Sequence, residues 1–488
     1  MNRVSGILCP VSALPSRFGI GDFGKESRVF VDLAKEAGFS LWQILPLNPL
    51  GYGHSPYQPF SSFAIEELYV DLDALNAKKL CKKAPDFRQD AEKVDYEGIR
   101  AYKEPFLKEA FEKELERDPG CLADFIATHT WVLPWSLFMM NKRRNAMASW
   151  ESWPKEQQEM ISSYPSLTPE EEKAARYEIW LQKTLYEQWK SLKDYANKKG
   201  IRLIGDVPFY VGFDSCDVWA NQDSFLLDPK SKEPVWIAGV PPDYFSKTGQ
   251  RWGNPIYNWD LLEKRDFSFI INRLKLNGEL YDVIRLDHFR AFDTYWKIPA
   301  SCPTAVEGAW IEAPGYKLFD IFFKEVPNLE IIAEDLGDLR PEVLVLRDHY
   351  NFPGMNVVEF TFHDAELVKK PGYDRENMVA YLGTHDNDPL KSYFSLLPKE
   401  EQAAWLKALD EKKIAGTDIN DKLISYELAL KAKYAIFAVQ DLLDLGTESR
   451  LNKPGIIDDV NWTWRMKDYS ALEAKVEHLK SLNAQYHR

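Results

Sequence analysis

Cysteine is scarce in this chain. Its 488 residues hold five (Cys9, Cys81, Cys121, Cys216 and Cys302), an odd number with no CxxC spacing. That excludes a disulfide framework and fits a reducing compartment, the cytoplasm. Long apolar runs are missing too: none approaches the ~20 residues that cross a bilayer, so no membrane partner is expected. The opening MNRVSGILCPVSALP is interrupted by Ser5, Pro10 and Ser12 and reads as a strand rather than a secretion signal. Positive charge is in deficit, with 61 Lys and Arg against 75 Asp and Glu and a net charge of -14. A polyanion such as nucleic acid is therefore not the expected partner. Among the eight histidines, His54, His288, His363 and His385 lie far apart without HExxH spacing, so no catalytic metal is expected. No P-loop or GxSxG elbow occurs. GIGDFG (19–24) has the form GxGxxG, but ten residues separate it from the preceding strand and Asp22 would oppose a pyrophosphate. No cofactor is expected.

Aromatic residues, in contrast, are plentiful: 14% of the chain, with 16 Trp and 23 Tyr. They suit either a large core or flat platforms that stack on a ligand. Overall 45% hydrophobic and 28% charged residues are the mixture of a globular protein.

Apolar strand-like runs alternate with helical patterns. Strands are expected at 3–9, 40–47, 201–207, 281–287, 329–335, 355–360 and 378–384, with an eighth near 454–458. KESRVFVDLAKEAG (25–38) reads as a helix with Val29, Leu33 and Ala37 on one face and Gly38 at its end. TPEE opens another helix: Thr168 as cap, Pro169 in the first turn, Glu171 closing a capping box. Its buried stripe is Tyr177, Leu181, Leu185, Trp189 and Leu192, and Gly200 ends it. The chain closes with an amphipathic helix carrying Leu472, Val476 and Leu479. Strands separated by helices imply parallel βαβ units, and about eight of them imply an α/β fold of the (β/α)8 TIM-barrel type with inserted helical subdomains. A doubly wound open sheet is the alternative. The expected organisation is one catalytic barrel over 1–488. A helical subdomain (73–200) is inserted between strands 2 and 3, and a second insertion (207–280) follows strand 3.

Four of the apolar runs end in an acid: Asp206 in LIGDVPFY, Asp287 in IRLDHFR, Glu334 in IIAEDLG and Asp386 in YLGTHDND. Strand side chains alternate between faces, so Val283, Arg285 and Asp287 share one side, as do Ile332 and Glu334. A single acid there could be a strand-end ion pair. Four on four strands place carboxylates together at the carboxyl-terminal rim, where barrels keep their chemistry. Such a set suits glycoside chemistry: one carboxylate attacks the anomeric carbon, one protonates the leaving oxygen and a third orients the sugar. Arg285 sets a positive charge beside Asp287, as an anionic nucleophile requires. Glu334 is the better proton donor if its surroundings raise its pKa.

The same residues lie in longer blocks. WQILPLNPLGYGHSPYQPFSSFA (42–64), GDVPFYVGFDSCDVWAN (205–221), GVPPDYFSKTGQRWGNPIYNW (239–259), RLDHFRAFDTYWKIPA (285–300), IAEDLG (332–337) and GTHDND (383–388) follow one another in order. In these the chain resembles the 4-α-glucanotransferases of glycoside hydrolase family 77, the amylomaltase or disproportionating enzymes, nearly end to end. The resemblance implies that Asp287 is the nucleophile, Glu334 the general acid/base and Asp386 the transition-state-stabilising acid. It implies a supporting polar shell of Asp206, Arg285, His288 and His385, and donor-side sugar contacts from Ser55 and Tyr57. It implies a flexible covering loop, about 239–254, with Asp243, Gln250 and Trp252 as glucan contacts. Donor and acceptor would be α-1,4-glucans and maltooligosaccharides. An α-glucan hydrolase of the same superfamily chemistry and a non-catalytic glucan-binding protein are the competing readings. Two positions depart from the family pattern: Pro389 stands where a small hydroxyl residue is usual, and Cys302–Pro303 where charge is usual.

Overall fold

The computed structural model describes residues 3–488 apart from 88–91, 164–165, 243–245, 363–372, 457 and 459. In chain order its strands are β1 (Val4–Leu8), β2 (Leu41–Gln43), β3 (Arg202–Val207), β4 (Trp236–Val240), β5 (Gln250–Pro255), β6 (Val283–Leu286), β7 (Thr294–Pro299), β8 (Ala309–Glu312), β9 (Glu330–Ala333), β10 (Gly354–Val357), β11 (Met378–Tyr381) and β12 (Tyr434–Ala438). Eight of them form one sheet in the order β10-β11-β12-β1-β2-β3-β6-β9, every pairing parallel. The two ends of this sheet meet. The Ala333 amide at the tip of β9 donates to the Pro353 carbonyl just before β10, at 2.9 Å. The Met355 amide in β10 donates to Asp335 Oδ1 at 2.7 Å, and Arg347 pairs with the other oxygen of Asp335. The sheet is thus an eight-stranded parallel barrel whose last seam is held largely by a side chain.

Barrel strands buried on both faces are apolar throughout rather than alternating. β11 (MVAY) and β12 (YAIFA) are buried at every position. This accounts for a correction. The eighth strand is β12, not 454–458, where Pro454 and Gly455 form a turn. The β12 run stands four residues after the helix Ile419–Ala429 and has no alternation to mark it as a separate strand. The 355–360 run is also shorter than expected as a strand. It leaves β10 at Val357 and turns into a short helix, Val358–Thr361.

Between β2 and β3 the chain is helical, the longest pieces being Tyr96–Arg117, Val132–Arg144 and Pro169–Lys198. The last has the expected start: the Glu171 amide donates to the Thr168 hydroxyl and the Thr168 amide to the Glu171 carboxylate. Its apolar stripe is buried as read, and Gly200 follows it at φ +79°. Helix Lys25–Glu36 forms, but Phe30, Val31 and Ala34 are its most buried side chains, with Val29 and Leu33 only partly covered. With Ser27, also buried, they form one stripe at i, i+3, i+4 and i+7, rotated from the face read in the sequence. Leu472, Val476 and Leu479 are buried in two short closing helices, Ser470–Glu473 and Val476–Gln485.

A second, antiparallel sheet of order β5-β4-β7-β8 stands apart from the barrel sheet. It gathers strands from the segment after β3 and from the segment after β6. The described flanks of 239–254 pair antiparallel as β4 and β5, the two strands of a hairpin. Gly249 and Gly253 carry φ of +66° and +81°, conformations that only glycine adopts without strain.

Candidate active site

Strand direction gathers the acids. Asp206 is the penultimate residue of β3, Asp287 follows β6 and Glu334 follows β9, all at the carboxyl-terminal end of the barrel. Asp386 lies five residues beyond β11. The approach of β3 to β6 needs Gly205, because a Cβ there would fall 2.0 Å from the ring of Tyr281.

Arg285 is the hub. Its Nη1 donates to both oxygens of Asp206 at 2.8 Å and to Asp287 Oδ1 at 2.9 Å. Arg285 is 5% exposed and Asp206 1%, whereas the Asp287 side chain is 29% exposed. One acid therefore anchors the guanidinium from below while the other faces the cleft. Burial pushes the Asp206 carboxyl up against the pull of Arg285, and neighbouring Asp206 and Asp287 keep Arg285 well above its usual range.

Glu334 approaches this group from the next strand. Its oxygens accept backbone N–H groups from His288 at 2.7 Å and from Leu336 at 3.0 Å. Desolvation dominates over these donors and over Arg285, and with help from Asp287 it raises the carboxyl to about 8. The group is thus an acid at neutral pH, held against the residue that follows Asp287. Its neighbour Asp335 points the other way, into the β9–β10 seam, as alternation requires.

Asp386 is held from several sides. His385 Nε2 lies 3.4 Å from Asp386 Oδ1. Asn452 Nδ2 donates to that same oxygen at 2.6 Å, and Arg450 donates to the Asp386 carbonyl at 2.6 Å. His385 stacks on Tyr57 with ring centres 5.0 Å apart, and the Tyr57 hydroxyl donates to Asp206 Oδ2 at 2.8 Å. One connected chain therefore runs from Asp386 through His385, Tyr57, Asp206 and Arg285 to Asp287, and Glu334 joins it at His288.

The other expected residues fall around this chain. Ser55 accepts the Tyr57 amide at 3.2 Å and shapes that turn. His288 sits at φ +51° with its ring edge-on to Trp252, centres 4.9 Å apart. Burial lowers its pKa to about 4, so the imidazole is neutral, and its Nε2 has no partner among the described residues. Trp252 Nε1 donates to Gln250 Oε1 at 3.1 Å, which fixes both hairpin residues against each other. Asp243 lies outside the described residues, as does His363.

Several residues at the site had been passed over. Asn452 and Arg450 grip Asp386 from the segment after β12. Gln58 donates to Asn254 at 3.0 Å and ties the Tyr57 turn to the hairpin. Gln58 stands inside the quoted SPYQ block, so a signal existed for it. Asn452 lies 66 residues from its partner, with only a nearby Pro-Gly turn to mark the place.

Known proteins match the chain across its length. The profile of the family described as 4-alpha-glucanotransferase covers residues 9–471. The 4-alpha-glucanotransferase of Clostridium butyricum is 40% identical over 94% of this chain and 95% of its own. That of Thermus thermophilus is 41% identical over 95% of each, and that of Aquifex aeolicus (strain VF5) is 40% identical over 100% and 99%. The amylomaltase from Streptococcus agalactiae in complex with acarbose superposes with a TM-score of 0.93 at 36% identity, covering 100% of this chain and 99% of that one. An amylomaltase from Corynebacterium glutamicum, 17% identical with a TM-score of 0.77, shares the fold. With a profile match over nearly all its residues and relatives of one name at about two-fifths identity, this chain belongs to the 4-alpha-glucanotransferase family.

Proposed function

We propose that this chain moves an α-1,4-glucan segment from a donor to the 4-hydroxyl of glucose or a maltooligosaccharide by retaining double displacement. Asp287 attacks the anomeric carbon and forms a glycosyl ester. Glu334 gives its proton to the departing 4-oxygen, then takes one from the incoming hydroxyl. Asp386 stabilises the positively charged transition state. The observation that carries this reading is the contrast between two neighbouring acids. Asp287 sits 2.9 Å from a buried guanidinium, and Glu334 holds a proton up to about 8. Environments that set two carboxyls apart in this way are how one site supplies both a nucleophile and an acid.

Tyr57 and His385 offer a stacked aromatic pair on the side of Asp386, and Ser55 shapes the turn that presents Tyr57. Unpartnered His288 Nε2 offers a donor to a sugar hydroxyl. Gln250 and Trp252, held together by the Trp252 Nε1 to Gln250 bond, are the glucan contacts we assign to the hairpin, with Asp243 assigned on the family resemblance. Water competes with the acceptor at ~55 M, yet a well-oriented hydroxyl reaches effective molarities of ~10⁵ M or more. Gly249 and Gly253 give the hairpin the turns it needs to lie over the site and exclude water. We place the enzyme in the cytoplasm on its five free cysteines. No described helix is long and apolar enough to cross a membrane.

Incubation with maltotriose alone tests the reaction. Disproportionation releases glucose and builds a ladder of longer chains at constant total reducing ends. A steady rise in reducing ends would instead identify a hydrolase.

A further inference from the structure

Behind Asp386 lies a buried acid that the mechanism does not use. Glu359 sits on the short helix that follows β10 and is 1% exposed. Its Oε2 accepts a hydrogen bond from Asn387 Nδ2 at 2.8 Å. Asn387 Oδ1 in turn accepts from both the amide and the hydroxyl of Thr384, at 2.8 and 2.9 Å. The Thr384 hydroxyl accepts the amide of Asp386 itself at 3.3 Å. A further backbone bond, from the Asn387 amide to the Thr384 carbonyl at 3.2 Å, closes the turn. Asp386 is therefore carried on a four-residue turn whose two ends are joined by Asn387, and Asn387 is fixed to the barrel by Glu359.

The fit around Glu359 is close. A Cβ on Gly383 would lie 3.2 Å from Glu359 Oε1, so the carboxyl packs over a position that has no side chain. The Glu359 amide donates to the Leu382 carbonyl at the end of the neighbouring β11, and its own carbonyl accepts from the Tyr393 hydroxyl. A small cavity backs the turn, lined by Gly383, Asp388, Gln440, Asp441 and Arg450. The charged groups that face Glu359 are Asp441, Asp388 and Arg450. Burial first, and then both acids, hold its carboxyl well above the usual range.

We propose that Glu359, acting through Asn387, is the positioning residue that sets the turn presenting Asp386. This rests on the reading of Asp386 as the transition-state-stabilising acid. The group touches no reacting atom. It restricts where the Asp386 carboxylate stands, and a displacement of about 1 Å at such a group costs on the order of a hundredfold in rate. Asn452 restrains the same carboxylate from the opposite side, so loss of Glu359 frees only one of two supports.

Four variants decide the matter: E359A, N387A, the double variant and E359Q, each assayed on maltotriose well below its melting temperature. E359A and N387A should each lower kcat about 30- to 100-fold with KM within about threefold of the parent, since sugar contacts remain while alignment is lost. The double variant should be no slower than the slower single one, because both act along one path. E359Q should stay within about threefold of the parent, because its carbonyl accepts from Asn387 and its NH2 replaces the acid's OH. Parental kcat in folded E359A, additive losses in the double variant, or E359Q as slow as E359A would overturn the inference. If E359A does not fold, N387A and E359Q still decide it. D386N separates the two claims. An active D386N removes the reading of Asp386, whereas an inactive D386N beside a fully active N387A removes only the role of Glu359.

Discussion

Arg285 shows how much one side chain carries at this site. It neutralises Asp206, faces Asp287 and is itself buried, so removing any partner strands a charge. Asp287→Asn keeps the shape but cannot form the ester. Turnover should fall by more than about 10⁴-fold while maltotriose still binds, as the loss of a covalent nucleophile requires. Glu334 makes a prediction with a sign. In the proposed mechanism its proton goes to the leaving group, and burial holds that proton up to about 8. The rate should therefore be level near neutrality and fall about tenfold per pH unit above roughly pH 8. Glu334→Gln should lose about 10²- to 10⁴-fold on maltotriose but far less in the fluoride-releasing first step on maltosyl fluoride, whose leaving group needs no proton. Equal losses on both substrates would remove the acid role from Glu334.

Elements decide which of these side chains meet. The two sequence neighbours Glu334 and Asp335 diverge because a strand alternates. One reaches the cleft, and the other holds the last seam of the barrel. Asp335 and Arg347 are both buried, at 4% and 5% side-chain exposure. Asp335→Ala leaves Arg347 without its buried partner and frees the Met355 amide, and should cost about 3–5 kcal/mol in a denaturant titration. By contrast, the capping box at Thr168 is exposed and local. Thr168→Ala should cost only about 1 kcal/mol and leave kcat unchanged. The hairpin β4–β5 makes a different kind of prediction. Trp252 is only partly buried, edge-on to His288 and Tyr210 at the margin of the core, so Trp252→Ala should cost stability modestly and raise the ratio of hydrolysis to transfer. An unchanged product ratio would separate the hairpin from acceptor choice.

Several buried acids across the molecule are shifted toward the protonated form. Burial raises Asp22 to about 6, Asp441 to about 7 and Glu334 to about 8, with Glu359 and Glu427 pushed well above the usual range. A folded-state pKa above the unfolded one means the folded chain binds more protons, so stability falls as pH rises through that interval. His288 and Glu67 are shifted down, to about 4 and about 2, and oppose this only below about 6.5 and 4.5 respectively. Between pH 6.5 and 8 these carboxyls and His288 leave only the falling trend. Unfolding free energy should decline there by about 1–3 kcal/mol, with net proton release on unfolding. A stability flat or rising across that interval would show that these acids are ionised in the fold.

Much of this was legible in advance because it is local or periodic. Strand runs ending in acids, the capping box at Thr168 and the apolar stripe of its helix are patterns over a few residues, and they appear where they were read. The (β/α)8 architecture followed from their alternation. β12 was not legible, since a strand buried on both faces loses the alternation that marks one. Nor was the pairing of β4 with β5, since β4 also pairs with β7, more than forty residues on.

By itself, then, the sequence determined the elements, the acids at their ends and the family blocks that contain them. Tertiary structure alone decided the rest: that Arg285 bridges two acids, that burial raises the Glu334 carboxyl, and that Asn452 binds Asp386 while Asn387 ties its turn to Glu359. The physical reason is that desolvation and hydrogen-bond geometry depend on what closes around a group in space. At this site, decisive partners such as Asn452 for Asp386 and His288 for Glu334 come from more than forty residues away.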